Sequence, residues 1–303
     1  MQTLIMEHKT SSEDIGLGSF YWQRLTLDSQ VSKYFAGARA IGHDVDGCLY
    51  DVLGKPALRP LGVTKTRLEP ETPVAYHDRC LAAIAEDPDR YYQRGVVVRL
   101  ESEERDAAFD TWQTADQIRL SRNADRWPRN VDSCDLYHRP CDFFPICSGV
   151  AAEDDARYEV MPPHVELDAR AHLPLLTTSS SRCYRACPRR YQLTYVKGLR
   201  ARAAAPTLAF GTRVHKALAA WLPAHDLDAA LAAMREDGAE FDFDGAKAEA
   251  MIRGYHARWS GDALEVVAIE REFSAPLVNP TTGAASRTFC LAGKLDAIVR
   301  RTA

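Results

Sequence analysis

Two short stretches at opposite ends of the chain decide the fold. Leu4-Ile5-Met6-Glu7-His8-Lys9 lies near the start, and Leu291-Ala292-Gly293-Lys294-Leu295-Asp296, running on to Val299, lies near the end. Each is an apolar run carrying an acid. Side chains alternate along a strand, so Glu7 and Lys9 fall on one face. If Ala303 were joined to Met1, Asp296 would precede Glu7 by 14 residues, seven on each side of the join. That is the length of a strand, a tight turn and a strand. The two runs therefore read as halves of one hairpin opened at its turn, where chains tolerate a break.

The 303 residues allow one large or two smaller domains, and 46% hydrophobic with 26% charged residues is the balance of a globular chain. No apolar run approaches the ~20 residues of a membrane span, so no membrane partner is expected. The N-terminus lacks a basic region followed by an apolar stretch, and a cytoplasmic protein is expected. A formal net charge of −4 argues against nucleic-acid binding over the whole surface but leaves room for a local basic face. Arg182, Arg185, Arg189, Arg190, Lys197, Arg200 and Arg202 form such a cluster, read either as a solvated helix face or as a contact to a DNA backbone. Eight cysteines exceed what packing requires, and in a cytoplasmic chain they point to a metal or cluster rather than disulfides.

The periodicity predicts strands over 3–9 and Asp46–Leu53, and a helix over 27–40 with Asp28 near its start. Helices are expected over 73–87 and 102–119, with a short strand at Gly95–Leu100 between them. Residues 121–150, with Pro128, Pro140, Pro145 and three cysteines, read as a cysteine-rich loop region. Residues 151–175, polar and holding Pro162-Pro163 and Pro174, read as a linker. Thr178–Ser181 offers caps for a helix through Tyr191. Further helices are expected over Ala209–Trp221, 226–237 and 244–259, then a two-stranded hairpin over 264–277 and 286–300. Helices flanking a small mixed sheet give an α/β fold. Residues 1–150 and 176–303 are expected to be two halves of one structural domain joined by the linker.

Asp296 and Glu7 offer hard oxygen ligands for Mg²⁺ or Mn²⁺, and the His8 main-chain carbonyl could add another. Lys9 would lie beside the ion, where it could orient a water or stabilise charge on a phosphate. Alone, Glu-x-Lys and Gly-x-x-Asp occur by chance in most chains. Other residues add to them. Phe210-Gly211-Thr212-Arg213-Val214-His215 places a histidine early on a helix. Gln30 and Tyr34 stand at i and i+4 on one helix face. Glu270 begins or borders a strand leading toward Asp296 and reads as a supporting residue. Taken singly, His215 is better explained as a satisfied histidine and the Gln30–Tyr34 pair as part of an amphipathic helix.

Together these residues resemble the PD-(D/E)xK nuclease superfamily, in its RecB-like branch, which includes CRISPR adaptation nucleases and many phage-borne exonucleases. Cys187-Pro188-Arg189-Arg190-Tyr191, then Gly211–His215, then Glu270, then Gly293–Asp296 look like that family's N-terminal half. Glu7-His8-Lys9-Thr10-Ser11, then Gln30-x-x-x-Tyr34, then the cysteines look like its C-terminal half. The resemblance implies a circularly permuted, restriction-endonuclease-like core. It implies that His215, Asp296 and Glu7 bind the metal, with Lys9 as the catalytic lysine. Gln30 and Tyr34 would contact DNA or support Lys9, and Arg189, Arg190 and Tyr191 would shape the nucleic-acid face.

In the same family one cysteine before the core and three after it hold a [4Fe–4S] cluster. Cys187 matches the early one, with Cys183 as backup, and Cys134, Cys141 and Cys147 match the late ones. Four thiolates also suit zinc. Here six residues separate Cys134 from Cys141 where the family often has two, so reduced structural cysteines are the alternative. Cys48, Cys80 and Cys290 lie in apolar contexts and are expected in the core.

The motif order admits two origins: a genuine circular permutation, or a reading frame that joins pieces of two neighbouring nuclease genes or crosses the arbitrary cut of a circular genome. The expected activity is metal-dependent hydrolysis of DNA, at ends or on single strands, with a helicase or recombination protein as a possible partner. Two alternatives stand beside it: an inactive DNA-binding module of the same fold, and an unrelated α/β protein whose short motifs coincide.

Overall fold

The computed structural model describes residues 1–136, 139–165, 167, 172–202, 206–235 and 241–301. Strand β1 (Gln2–Ser11) is followed by helix α1 (Ser29–Ala40), β2 (Gly47–Gly54), α2 (Pro73–Glu86), β3 (Tyr92–Val97) and the long α3 (Glu101–Ala124). The short strands β4 (Tyr158–Val160) and β5 (Leu175–Leu176) precede α4 (Thr178–Ala186), α5 (Pro188–Tyr191) and β6 (Leu199–Ala201). Helices α6 (Pro206–Trp221), α7 (Leu227–Arg235) and α8 (Phe243–Trp259) lead into the paired strands β7 (Leu264–Val278) and β8 (Ala285–Arg301).

The main sheet runs β3-β2-β1-β8-β5, with β7 also paired to β8. β1 and β8 are antiparallel, in register from Gln2–Arg301 through Met6–Ala297. β1 and β2 are parallel from Leu4–Gly47 to Ser11–Gly54, with α1 as their crossover. β5 lies parallel beside Cys290 and Leu291, further back along β8. Every residue of β2 is buried, because helices cover both faces of the sheet centre. On one face Leu4, Met6, Ala297 and Val299 pack with residues of α2, α6 and α8. On the other, Ile5, Tyr50, Val52 and Ile298 pack with Val31, Phe35 and Ala38 of α1. The fold is thus mixed α/β, with a central mixed sheet flanked by helices.

Phe273 of β7 ties α1 to that second face through two glycines. A Cβ on Gly37 would stand 2.6 Å from its ring and a Cβ on Gly293 2.8 Å, well inside van der Waals contact. The glycine of the Gly293–Asp296 motif is therefore where an aromatic ring lies flat against the strand.

Several sequence expectations are corrected. The short strand is Tyr92–Val97 rather than Gly95–Leu100: Tyr92 already pairs with Leu53, and Leu100 caps α3. Helix α3 continues to Ala124, five residues beyond the expected stop, ending on Asp125 in the left-handed region at φ 46°. The helix expected through Tyr191 breaks at Cys187, which is extended at φ −160°; the following Pro188 disfavours helical backbone there. Residues 151–175 are more than a linker. β4 pairs with β6, and β5 joins the main sheet, because Tyr158 and Leu176 are apolar enough to be buried. The helix expected over 226–237 is described to Arg235, its last two residues lying outside the described part. No described helix is long and apolar enough to cross a membrane.

Candidate functional site

Beyond Met6–Ala297 the ladder between β1 and β8 ends. The His8 N–H, with no strand carbonyl to meet, donates instead to Asp296 Oδ2 at 2.8 Å. The motifs from the two chain ends therefore meet where two paired strands part. Glu7 is 1% exposed, and its Oε1 accepts from Lys9 Nζ and, at 2.7 Å, from Gln30 Nε2. Gln30 Nε2 also lies 2.6 Å from the hydroxyl of Tyr34, which is buried edge-on to Phe273. The four-residue spacing on α1 brings both side chains over β1, as the helix period requires. On the other side, His215 of α6 sets Nδ1 3.5 Å from Asp296 Oδ2. Glu270 lies across from Asp296, between the pairs Leu295–Arg271 and Ala297–Ile269, and is ion-paired to Lys294. It holds φ 50°, an uncommon conformation for glutamate and a common mark of a functional site. Glu270 is thus inside its strand rather than at its start.

The site concentrates negative charge in little water. Burial pushes the Glu7 carboxyl up to about 7; Lys9 opposes this and Asp296 adds to it. Burial also raises Asp296, against the pull of His8 and Lys9. Burial alone would lower Lys9, but Glu7 and Asp296 outweigh it, so its ammonium stays charged. Burial lowers His215 to about 4, helped by His8 and Lys9, leaving a neutral imidazole. Two carboxylates short of counter-charge and a neutral ring are the pattern of a cation site.

The sequence reading missed what lies beneath. His8 turns to the opposite face from Glu7, and its Nδ1 meets Asp51 Oδ2 at 2.9 Å, on the adjacent residue pair of β1 and β2. Fully buried Asp51 also accepts from Arg94 Nε at 2.9 Å and from the Tyr255 hydroxyl. Arg94 in turn binds Asp262 and, at 2.7 Å, Tyr255. Burial would raise Asp51, yet Arg94 and His8 hold it well below the usual carboxylate range. An acid inside the apolar run Gly47–Gly54 was the available signal, since buried charges need partners.

Whether these residues suit a metal can be judged from their free atoms. Among the described residues no group of three or more His, Cys, Asp and Glu side chains is gathered as a ready metal cage. Lys9 supplies the positive charge on Glu7 instead. Yet Glu7 Oε2 and His8 Nε2 are both buried with no hydrogen-bond partner. A buried polar atom left unsatisfied is costly, and a cation between the strands would satisfy the carboxylate. The donors fit Mg²⁺ or Mn²⁺ in kind.

A cleft of about 490 Å³ opens beside Lys9 and Gln30, walled by Tyr21, Arg24 and Arg182. A second, of about 690 Å³, is lined by Arg126, Trp127, Arg129 and Arg189, with Cys147 in its wall. Arg189 bonds Gln192 and, at 3.2 Å, Glu153, while Arg129 donates to the Cys147 carbonyl at 2.9 Å. Arg190 is half-buried, close enough to the Cys141 and Cys183 thiols to pull both down against burial. Tyr191 is buried, stacked between Trp127 and Tyr195 at 5.9 and 5.3 Å, and so supports the arginine face from beneath.

The cysteines form one neighbourhood. Burial pushes the Cys147 thiol up, Arg189 opposes it, and Cys187 and Cys134 push the same way. Burial pushes Cys183 up to about 11, with Arg190 opposing and Cys187 and Cys141 adding. The Cys141 N–H donates to the Cys134 carbonyl at 2.8 Å, and the Cys187 N–H to the Cys183 carbonyl at 2.9 Å. All eight cysteines are unbridged, and Cys48, Cys80 and Cys290 are buried.

Residues 175–303 match the family described as the PD-(D/E)XK nuclease superfamily. The matched segment holds His215, Glu270 and Asp296; Glu7 and Lys9 lie outside it, on the strand paired to its last one. No curated protein and no solved structure gives a significant match.

Proposed function

We propose that this protein is a metal-dependent DNA nuclease of the RecB-like kind, assembled from motifs in circularly permuted order. One observation carries the reading: Glu7, Lys9, Gln30 and Tyr34 from one end of the chain meet His215 and Asp296 from the other, around the parting of β1 and β8. Short motifs that coincided by chance would have no reason to converge. On this reading residues 1–150 and 176–303 compose a single nuclease core.

Asp296, Glu7, the His8 carbonyl and His215 would hold Mg²⁺ or Mn²⁺, which when bound polarises the scissile phosphate. The remaining chemistry belongs to the chain. Gln30 fixes the Glu7 carboxylate, and Tyr34 fixes Gln30. Lys9, kept cationic by two carboxylates, stabilises charge on the phosphate oxygens or orients the attacking water. Arg126, Arg129 and Arg189 supply backbone contacts, and Trp127 a stacking surface, for DNA in the larger cleft, with Arg190 at its margin and Tyr191 beneath. This suits ends or single strands, whose bases are free to stack, and a helicase or recombination protein would supply them.

Cys134, Cys141, Cys147 and Cys187, with Cys183 beside them, would hold a [4Fe–4S] cluster; zinc is the alternative. The support is five reduced thiols in one neighbourhood, consistent with the resemblance.

The test is cleavage of end-labelled single- and double-stranded DNA by anaerobically purified protein, with Mn²⁺ or EDTA. We expect Mn²⁺-dependent cutting that falls at least ~100-fold in Lys9→Ala, the scale of losing one charge-stabilising donor. A second reading, an inactive DNA-binding module, is favoured by Lys9 occupying Glu7 and the lack of a closed cage. DNA binding without cutting by wild-type protein would select it.

A further inference from the structure

We propose that Arg24 and Arg182 form a phosphate-binding subsite for the substrate strand beside Lys9, each held at rest by a carboxylate that the incoming phosphate displaces. This rests on the nuclease reading and extends it, since that reading placed the DNA contacts in the larger cleft.

The smaller cleft, of about 490 Å³, brings Lys9 and Gln30 together with Arg24 and Arg182. Among the described residues, three cations (Lys9, Arg24 and Arg182) and two carboxylates (Glu13 and Asp28) line it, on a chain whose formal net charge is −4. Each arginine is parked on one of those carboxylates. Arg24 Nη1 donates to Glu13 at 2.8 Å, and its guanidinium stands 4.6 Å from the centre of the Tyr21 ring. Arg182 Nη2, on α4, donates to Asp28 Oδ1 at 2.6 Å, at the start of α1. The two side chains are 40% and 50% exposed. Exposed ion pairs are weak, so the exchange of carboxylate for phosphate costs little. A phosphate also offers the guanidinium fork a bidentate partner. Arg94 has no such freedom, because its pair with Asp51 is buried.

Asp28 links the subsite to the catalytic residues. The oxygen that accepts from Arg182 also caps α1 by accepting from the Gln30 N–H at 2.8 Å, and the Gln30 side chain holds Glu7. A phosphate that takes Arg182 leaves this cap in place. Arg182 opens the basic run that the sequence left as either a solvated helix face or a DNA contact, and its place in the cleft beside Lys9 favours the contact. The phosphate is a terminal monoester or a backbone diester, and the two are separable by experiment.

The test is fluorescence anisotropy of labelled single strands with the full chain in EDTA, over a salt series, using strands with a 5′-phosphate, a 3′-phosphate or no terminal phosphate. Arg24→Gln and Arg182→Gln should each weaken binding roughly tenfold, the scale of a lost charged hydrogen bond, and flatten the log–log salt slope by about 0.7. Glu13→Gln and Asp28→Asn should act in the opposite sense and tighten binding, because each frees an arginine; asparagine keeps the cap. Glu101→Gln and Arg105→Gln, an exposed pair on α3 outside the cleft, control for charge alone and should shift binding less. A terminal phosphate that tightens binding in the wild type but not in the arginine variants identifies the monoester as occupant. Equal binding of all three strands, with the slope loss intact, identifies the backbone. Cleft variants that behave like the α3 controls overturn the subsite and leave the nuclease reading standing. Wild-type protein that binds none of the strands also overturns the subsite, and if it cuts none of them with Mn²⁺ the nuclease reading falls with it.

Discussion

At the scale of single residues, the chain buries two ionisable groups whose titrations oppose each other. Lys33 of α1 is buried against α4, where its ammonium donates to Ser181 at 3.0 Å. Burial, then repulsion from Arg185 and Arg182, lowers it to about 7 from an ordinary 10.5. Between those values the unfolded chain holds the proton more often, so stability rises as pH rises from about 7 to 10.5. Lys33→Met should remove that rise and stabilise the protein at pH 7 by up to ~4 kcal/mol, since each tenfold loss of proton affinity is worth about 1.4 kcal/mol. Glu7 behaves in the opposite sense. Its carboxyl is raised from 4.5 to about 7, so its contribution is full below 4.5 and is lost as pH climbs to about 7. Glu7→Gln should flatten that falling limb. Urea denaturation of wild type and both variants across pH 4–10 measures the two limbs; a variant that parallels the wild type refutes its limb. Divalent ions should stabilise more at pH 8 than at pH 5, because a proton competes for Glu7 below its pKa.

At the scale of elements, the seat of Phe273 between α1 and β8 gives a sharp prediction. Gly293→Ala and Gly37→Ala each place a methyl within 3 Å of the ring, and overpacking of this kind costs about 1–3 kcal/mol. The loss should shrink when Phe273 is shortened to leucine, as a double-mutant cycle by thermal denaturation would show. An undiminished loss would place the strain elsewhere. Here the limits of the sequence are also plain. Glu7 with Lys9, and Gln30 with Tyr34, were legible because each pair acts over one strand or helix repeat, and the apolar run around Asp296 marked its strand. Asp51, Arg94 and Tyr255 were not, since Asp51 meets partners 43 and 204 residues away. No local period encodes such pairings. The backbone of Glu270 was hidden for another reason: glutamate carries no sign of a positive φ, as glycine would. Cys187 shows the converse: the helix break there is marked in the sequence by Pro188, since the residue before a proline disfavours helical backbone.

At the scale of the whole molecule, the segment that matches the family cannot complete its own sheet. Along Ala297–Arg301 β8 is paired on one side with β7, but its other edge is open unless β1 lies there, and β1 in turn is braced by β2 and β3. Expressed alone, residues 172–303 should therefore be largely unfolded or aggregated, with β8 an exposed apolar edge. Mixing them with residues 1–165 should restore folded protein and Mn²⁺ binding, read by circular dichroism and calorimetry. Independent folding of the shorter piece would refute this.

The pairing of β1 with β8 also bears on the timing of synthesis. His8 and Asp296 are 288 residues apart, and a ribosome adding ~5–20 residues per second needs roughly 15–60 s to travel between them. Throughout that interval β1 has no β8 to lie against. The central sheet can close only once β8 has cleared the exit tunnel. A nascent chain of this design depends on whatever shields an apolar strand while it waits.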